Sequence, residues 1–308
     1  MYNQLIMNSI ISALSFVVTI FLAYWFKKLG ILKTEDGFTL SKIVLNITLP
    51  ATLLSAVREF KLDSVFFTFI ILGIILNIFF ITIALYTTRK KVDTTRAFSV
   101  YTMSGYNIGN FAIPFVASVF PAAVPFIGIF DIGNAIMVTG PTTIILDKAI
   151  AKKGQAPRFR DTFLKLIKSP PFVSYLICII LAAFSLHLPT FLNTPLAFLS
   201  EANSFLSMFV IGLFLKFNIK KGYIRLAMQV LGYRYFFNTI IAILCWFFLP
   251  FAIEFRFALL FALLSPVGNL GVMQATEFGS DEGKVGLTSS ISIFISLIIM
   301  CALLFFNH

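Results

Sequence analysis

The sequence predicts an all-α integral membrane protein, and three observations carry this prediction. Of the 308 residues, 59% are hydrophobic and only 12% are charged, whereas soluble globular domains have roughly 25% charged residues. Apolar runs of membrane-spanning length recur along the chain. Two of these runs are interrupted by Pro, Gly and Asn, at residues 104–114 and 265–271. Broken segments in corresponding places of two halves are typical of secondary transporters.

A helix needs about 20 apolar residues to cross the hydrocarbon core of a bilayer. By this measure the chain contains ten transmembrane segments, numbered here in chain order: 5–26, 38–57, 64–87, 97–119, 121–148, 171–188, 192–218, 227–250, 257–277 and 284–306. Segment 1 is read as a transmembrane helix rather than a signal peptide. No basic residue precedes it, and Lys27 and Lys28 follow it.

The distribution of basic residues predicts the orientation of these segments. Ten crossings place the loops after the odd-numbered segments on one face. That face and its flanks hold 21 of the 24 Lys and Arg residues, Arg234 among them, and the other face holds only Arg58, Lys61 and Arg256. Because Lys and Arg mark cytoplasmic loops, both termini are predicted to lie outside the cell (plasma) membrane. The net charge of +11 then reflects orientation, and no nucleic-acid partner is predicted.

Polar side chains interrupt segments 2 and 7 as well. Asn46 and Pro50 in segment 2 are predicted to form a supporting wall for a site rather than to contact a ligand. Glu201 and Asn203 lie nearer the outer end of segment 7. There Glu201 either faces an outer vestibule or lies at the membrane interface.

Segment 4 carries Asn107, Asn110 and Pro114 in the middle of an apolar run. Proline removes a backbone donor and clashes with the carbonyl group four residues earlier, so the helix is expected to break or kink here. The N-terminus of a half-helix presents free N–H groups and a positive dipole end, which suit a carboxylate. The two asparagines add amide donors and acceptors. The alternative is a proline kink packed by small residues, without a ligand.

Segment 9 contains the second break. Ser265 and Pro266 predict a helix N-cap followed by proline at the first helical position, and Asn269 brings an amide to the same depth. Two matching breaks favour a binding site over two unrelated kinks.

Asp131 lies about ten residues into segment 5, near the predicted centre of the bilayer at about 1.5 Å per residue. A carboxylate at that depth is costly and is a functional-site hypothesis by default. Asn134 shares its helix face. Three roles stay open for Asp131: carrying a coupling proton, coordinating a cation such as sodium, or hydrogen-bonding the broken backbone of segment 4.

The longest connection, residues 150–170, divides the chain into the halves 1–149 and 171–308. Each half then holds five segments, with the broken one fourth. Because five is odd, two similar halves must be inverted relative to each other. The sequence therefore predicts two inverted five-helix repeats with crossed discontinuous helices 4 and 9. Residues 161–168 form either a short amphipathic turn on the membrane surface or part of a solvated linker.

Several function classes lack the residues they need. Cys178, Cys245 and Cys301 lie in three different apolar runs without CxxC spacing, and His187 and His308 are isolated. No metal site, cofactor or disulfide is predicted. No nucleophile–base pair is recognisable at membrane depth, so the chain is not predicted to be an enzyme.

An ordered set of short motifs resembles the auxin efflux carrier family, which includes plant PIN carriers and bacterial malate and malonate permeases. The motifs span essentially the whole chain: 49–51 (LPA), 106–114 (YNIGNFAIP), 130–131 (FD), 169–171 (SPP), 209–215 (FVIGLFL) and 265–281 (SP to SD). The resemblance implies ten helices in two inverted repeats, related to the folds of bile-acid transporters and sodium/proton antiporters. It also implies a substrate site at the crossing of helices 4 and 9, and an elevator-like motion.

The resemblance places the crossover prolines of the family at Pro114 and Pro266. It places the asparagine that meets the substrate carboxylate at either Asn107 or Asn110. The chain departs from the family pattern at Ser169, which replaces an Asn, and at Gly268 and Asn269, where small apolar residues are more usual. A specific substrate such as malate or auxin is therefore not carried over.

Together these observations predict a secondary transporter of small organic anions, mono- or dicarboxylates, working by alternating access. Its predicted partners are the anion, the lipid bilayer, a coupling proton or sodium ion, and a second copy in a homodimer. Two alternatives stay open: a cation/proton antiporter using Asp131, and a membrane sensor that only binds its ligand.

Overall fold

A computed structural model describes residues 2–56, 62, 64–150, 159–216, 221–249 and 252–306. Within these ranges the chain is helical and has no strand. Six helical stretches there are long and apolar enough to cross a membrane: Thr34–Ser55, Ser64–Thr87, Pro121–Thr139, Thr190–Phe214, Gly222–Phe248 and Glu282–Leu303. The predicted all-helical architecture is confirmed for the described ranges, and these long apolar helices are consistent with an integral membrane protein. The count of ten crossings stays a prediction.

The first half of the chain contains α1 Tyr2–Lys28, α2 Thr34–Ile43, α3 Leu49–Ser55, α4 Ser64–Thr87, α5 Asp93–Met103, α6 Ile113–Val119, α7 Val124–Thr139 and α8 Pro141–Ala149. A π-helical turn, Val44–Thr48, joins α2 to α3, and a second one, Ile108–Ala112, leads into α6. Such turns widen a helix locally and occur frequently at functional sites.

The second half contains α9 Phe159–Ile167, α10 Pro170–Ala183, α11 Asn193–Phe214, α12 Lys221–Phe248, α13 Ile253–Leu263, α14 Asn269–Glu277 and α15 Glu282–Phe306. Prolines open α10 at its first turn, where the missing N–H costs no helical hydrogen bond. The predicted features at Arg58, at Lys61 and within 151–158 lie outside the described residues.

Segments 4 and 9 are both interrupted, as predicted. In segment 4 helical structure stops at Met103 and resumes at Ile108. In segment 9 it stops at Leu263 and resumes at Asn269. The apolar residues around both breaks are buried, so protein rather than lipid surrounds the irregular backbone.

Close packing of α4 against α7 positions one wall of the break in segment 4. A Cβ atom at Gly73 would lie 2.5 Å from the carbonyl oxygen of Phe130, and one at Gly133 would overlap the backbone of Ile70. Glycine at both positions lets the two helix backbones touch, as small residues do in membrane helix pairs. Asn77 on α4 and Asn134 on α7 are thereby brought to the same point.

The outer surface of the helices is apolar. Val18 and Trp25 on α1 are both 64% exposed, and Phe247 and Phe248 at the end of α12 are 74% and 78% exposed. Large apolar side chains in such numbers suit contact with lipid.

Arg234 does not lie in the flank of a loop, so its predicted place on the cytoplasmic face is wrong. It occupies the middle of α12 and is completely buried, with 0% of its surface exposed. Segment 8 begins earlier than its apolar run suggested, because α12 extends to Lys221 and carries this arginine inside the protein. One basic residue is thus removed from the 21 assigned to the predicted cytoplasmic face.

Candidate substrate-binding site

The two breaks meet each other inside the protein. Tyr106 and Val267 face each other as an isolated antiparallel bridge. The N–H of Asn107 donates a hydrogen bond to the carbonyl oxygen of Pro266 at 3.0 Å. The two interrupted segments therefore meet at the point where each has lost its helical hydrogen bonds, and this meeting point is termed the crossing.

Asparagine side chains satisfy the exposed backbone in segment 4. The N–H of Gly105 donates to Oδ1 of Asn77 at 2.8 Å, and the N–H of Tyr106 donates to Oδ1 of Asn134 at 3.0 Å. In return, Nδ2 of Asn134 donates to the carbonyl oxygen of Tyr106 at 3.1 Å. Without these amides, buried backbone groups would be left unpaired at a cost of about 1–3 kcal/mol each.

Serine hydroxyls perform the equivalent task in segment 9. The N–H of Val267 donates to Oγ of Ser292 on α15 at 3.1 Å. Ser265 donates its hydroxyl to the carbonyl of Ala262 at 2.7 Å, and the N-cap of α14 is Gly268. The prediction that Ser265 caps the second half-helix is therefore wrong, because its hydroxyl closes the last turn of α13.

Arg234 binds both breaks from α12. Its Nη1 donates to the carbonyl oxygen of Met103 at 2.5 Å, and its Nη2 donates to the carbonyl oxygens of Ser265 and Pro266 at 3.2 and 3.3 Å. The guanidinium carbon lies 4.6 Å from the ring centroid of Tyr106, a cation–π contact. Within the described ranges, no carboxylate forms an ion pair with this arginine.

The charge of Arg234 is instead stabilised by the backbone. Met103 ends α5, and Ser265 and Pro266 follow the end of α13. The carbonyl groups at the C-terminus of a helix carry its negative dipole end. A buried guanidinium that bonds to two such ends is thus compensated without an acidic partner.

A cavity of about 580 Å³ lies beside the crossing. Segments 4 and 9 contribute polar groups to its lining through Asn107, Asn110 and Asn269. α7 contributes Asp131 and Asn134. Apolar side chains such as Leu45, Leu49, Phe172 and Val272 form much of the remaining wall. A concave, largely apolar space with a few converging polar groups is the usual form of a small-molecule site.

Three asparagine amides converge on this cavity. Nδ2 of Asn107 donates to Oδ1 of Asn269 at 3.3 Å, which links the two breaks through their side chains. Asn110 is 6% exposed, and its buried Oδ1 has no hydrogen-bond partner among the described residues. A buried amide with an unused end is costly unless something binds it. Because Oδ1 is an acceptor, the unused end of Asn110 points to a bound water or to a ligand group that donates a hydrogen bond.

The first turn of α14 adds backbone donors to the same wall. The first intrahelical hydrogen bond runs from the N–H of Val272 to the carbonyl of Gly268 at 3.1 Å. The N–H groups of Asn269, Leu270 and Gly271 precede it and have no helical acceptor, and all three residues line the cavity. Free N–H groups at the positive end of a helix dipole form a site for an anion.

Comparison with known proteins shows the family of this chain. A family model described as "Membrane transport protein", that of the auxin efflux carrier family, matches residues 9–306. The chain belongs to this family. It is also 26% identical over 302 residues to a protein of Methanothermobacter thermautotrophicus named "uncharacterized transporter". That match covers 96% of this chain and 97% of the relative.

In the present chain Asp131 lies in the cavity wall and joins α7 to α10. Its Oδ1 accepts a hydrogen bond from Nδ2 of Asn134, and its Oδ2 accepts one from the hydroxyl of Tyr175, both at 2.9 Å. The carboxylate reaches the broken backbone only through Asn134. No three His, Cys, Asp or Glu side chains cluster as metal ligands in the described part of the chain.

The remaining predicted site residues lie outside the cavity lining. Pro114 is buried in the first turn of α6, and its carbonyl accepts a hydrogen bond from Ser204 at 3.2 Å. Asn203 is fully buried and accepts a hydrogen bond from Thr48 at 2.8 Å, which ties α11 to the first π turn.

Asn46, Pro50 and Glu201 are likewise absent from the lining of this cavity. Asn46 is exposed, and its amide donates to the carbonyl of Lys42 on its own helix. Pro50 lies in the first turn of α3, and Glu201 is exposed on α11. The structure therefore does not bring these three residues together with the asparagines of the crossing.

Sequence reasoning missed Arg234 and Tyr175. An ionisable residue within an apolar run is a functional signal in a membrane protein, but the distribution of basic residues alone places Arg234 among the loop charges. Tyr175 carries no signal of its own, since tyrosine is common near the ends of transmembrane helices. Only the packing of α10 against α7 brings its hydroxyl to Asp131.

Proposed function

We propose that this member of the family is a secondary transporter of small organic anions, mono- or dicarboxylates, that bind at the crossing of the two broken segments. The observation that carries the proposal is the open first turn of α14, whose N–H groups without a helical acceptor lie in the wall of the same cavity as the amides of Asn107 and Asn110. An anion there would accept hydrogen bonds from amide and backbone donors together.

Arg234 is the charge beside the crossing that favours an anion there, whereas the carboxylate of Asp131 in the cavity wall favours a cation. Arg234 lies directly behind the crossing, and its positive charge has no acidic partner among the described residues. The carboxylate of Asp131 already accepts two hydrogen bonds from its neighbours. Opposite charges attract more strongly where protein excludes water. A carboxylate at the asparagines would therefore be stabilised by a fixed charge that it need not touch.

Corresponding contacts support the proposed inverted repeats. Asn77 precedes Tyr106 by 29 residues, and Asn238 precedes Val267 by the same spacing. Both asparagines hydrogen-bond to the break of segment 4, Asn77 to its backbone and Asn238 to the hydroxyl of Tyr106. The packing of α4 with α5 and α7 is repeated by the packing of α12 with α13 and α15. Ten segments related by a two-fold axis in the membrane plane would produce this pattern.

The shape of the cavity supports alternating access. Its lining includes Thr34, Lys216 and Glu282, which lie at helix ends on the face predicted to be cytoplasmic. Beyond the crossing, the fully buried rings of Phe111, Phe115 and Phe261 fill the space. We therefore propose an inward-facing state in a plasma membrane, with both termini outside.

Two groups of helices are candidates for the moving parts. α1, α2, α3, α10 and α11 pack mainly with one another, whereas α4, α5, α7 and α12–α15 hold the crossing. An elevator-like motion of the second group against the first would carry the site across the bilayer. The hydrogen bond from Tyr175 to Asp131 joins the two groups and would have to break during that motion.

The test is uptake into proteoliposomes of purified protein, with a panel of mono- and dicarboxylates. Loss of one hydrogen bond to a charged ligand costs about 1.5–3 kcal/mol, so Asn110→Ala is expected to raise the KM for the transported acid roughly 10- to 100-fold. Asn46→Ala is the matched control, because its exposed amide lies outside the cavity, and it is expected to leave KM unchanged. Equal KM values for the two variants would refute the site.

A cation/proton antiporter is the second candidate, because a carboxylate lies in the cavity wall. Asp131→Asn keeps a hydrogen-bond acceptor but cannot carry a proton. If Asp131 couples a proton to anion transport, this variant transports the acid without responding to an imposed pH gradient. Cation-driven proton movement in the absence of any organic acid would favour the antiporter. Binding of an acid without any flux would favour a sensor.

A further inference from the structure

α9 is a short amphipathic helix placed directly before a transmembrane segment. Its residues Phe163 and Ile167 are 51% and 36% exposed and lie four residues apart, on one face. Leu166 is buried, because that edge of the helix packs against α7 and α10. α9 thus has an apolar face that the described protein covers only along one edge.

The polar side of α9 is basic. Arg160, Lys165 and Lys168 are exposed, and Asp161 is the only acidic residue of the helix. Among the described residues, none of the three cations forms an ion pair. An apolar face with a basic polar side is complementary to a bilayer surface with anionic headgroups.

The position of α9 fits that surface. α10 begins at Pro170, three residues after α9 ends, and it exposes Leu176, Ile177 and Ile180 to the membrane. The exposed apolar surface therefore continues along the chain from α9 into a transmembrane segment. Leu166 and Ser169 also line the cavity, so the position of α9 determines part of the cavity wall.

We propose that α9 is an interfacial helix that binds anionic lipid headgroups through Arg160, Lys165 and Lys168 and inserts Phe163 and Ile167 between the lipids. Headgroup binding then fixes Leu166 at the cavity wall and sets how readily the cavity opens. This last step rests on the proposed transport function, whereas the lipid binding does not.

The lipid contact is tested by tryptophan fluorescence. Phe163→Trp is placed in a background with Trp25→Phe and Trp246→Phe, which removes the two native tryptophans. The protein is reconstituted into vesicles of brominated phosphatidylcholine, with or without brominated phosphatidylglycerol. Quenching is expected in both kinds of vesicle and should be stronger with phosphatidylglycerol. High salt should remove this difference, because it screens the attraction between the cations of α9 and the headgroups.

Charge variants separate headgroup binding from general surface charge. One lysine near an anionic surface raises the binding constant about fivefold. Lys165→Gln with Lys168→Gln is therefore expected to weaken the phosphatidylglycerol-dependent binding of α9 about 25-fold. Lys90→Gln with Lys91→Gln is the matched control, since these exposed lysines lie in the turn after α4. No quenching in any vesicle, equal quenching with both lipids, or an equal loss in the control pair would each overturn the proposal.

The effect on the cavity is measured separately, as the rate of acid uptake in the same vesicles. Uptake is expected to depend on phosphatidylglycerol in the wild type and in the control pair, but not in the α9 pair. Lipid-independent uptake together with lipid-dependent quenching would overturn the regulatory step and leave the lipid contact standing. If no acid is transported, the fluorescence result still stands. Failure of the proposed transport function can therefore be distinguished from failure of the proposed lipid contact.

Discussion

Replacing Arg234 by lysine keeps the positive charge at the crossing and removes only its geometry. The guanidinium of Arg234 reaches carbonyl oxygens on both sides of the crossing, Met103 with Nη1 and the pair Ser265 and Pro266 with Nη2. Lysine has one nitrogen, which is a compact and strongly hydrated charge. It can occupy one of these two nitrogen positions but not both.

The expected cost follows from the hydrogen bonds that are lost. Depending on the position that the ammonium takes, one or two charge-assisted hydrogen bonds disappear, at about 1.5–3 kcal/mol each. The free energy of unfolding should therefore fall by about 2–6 kcal/mol. For a chain of this size about 1 kcal/mol corresponds to roughly 2 °C, so the melting temperature should fall by about 4–12 °C.

Thermal unfolding of the purified protein can be followed with a thiol-reactive dye, because Cys178 is fully buried and becomes accessible on unfolding. Arg225→Lys is the matched control: it is the same substitution on the same helix at an exposed position. It is expected to melt with the wild type. If both lysine variants melt together with the wild type, the guanidinium hydrogen bonds of Arg234 do not hold the crossing together, and the stability assigned to them is wrong.

Two further predictions concern the same crossing. Gly271→Ala would place a Cβ atom against a backbone carbonyl of α5 and should destabilise the protein by about 1–3 kcal/mol. Gly232→Ala, the control, meets no atom within 4 Å and should stabilise α12 by up to about 1 kcal/mol. If the two variants shift the melting temperature in the same direction, the packing described for Gly271 is wrong. Asn134→Ala should leave the peptide N–H and carbonyl of Tyr106 unpaired and lower the free energy of unfolding by about 2–6 kcal/mol in the same assay. A decrease below about 1 kcal/mol would show that other groups satisfy this backbone.

The interruptions of segments 4 and 9 could be predicted from sequence because their cause is local. Proline, glycine and asparagine weaken a helix wherever they occur, and an apolar context makes the interruption visible. The exact limits were less predictable. Ser265 before Pro266 has the residue pattern of an N-cap, yet α14 begins only at Asn269. The hydroxyl of Ser265 instead hydrogen-bonds to the end of α13. The local sequence is compatible with Ser265 either capping α14 or closing α13.

The partners of the breaks could not be predicted, because they depend on tertiary packing. Arg234 lies 131 positions from Met103 in the chain, and Tyr175 lies 44 positions from Asp131. Neither spacing implies contact until the helices are arranged. Asp131 and Asn134 could be paired in advance, since a separation of three residues on one helix brings their side chains together.

The asparagines near the crossing have two different roles, and this difference is the physical basis for the anion site. The amides of Asn77 and Asn134 hydrogen-bond to the broken backbone, although Asn134 also lines the cavity, whereas the side chains of Asn107, Asn110 and Asn269 line the cavity without such a bond. Sequence alone cannot separate these two sets, because each is an amide within an apolar run. The first set makes the break stable without a ligand, so the second set is free to bind one. If Asn77→Ala abolished anion binding at unchanged stability while Asn110→Ala destabilised the empty protein, this division would be reversed and the proposed site would have to be abandoned.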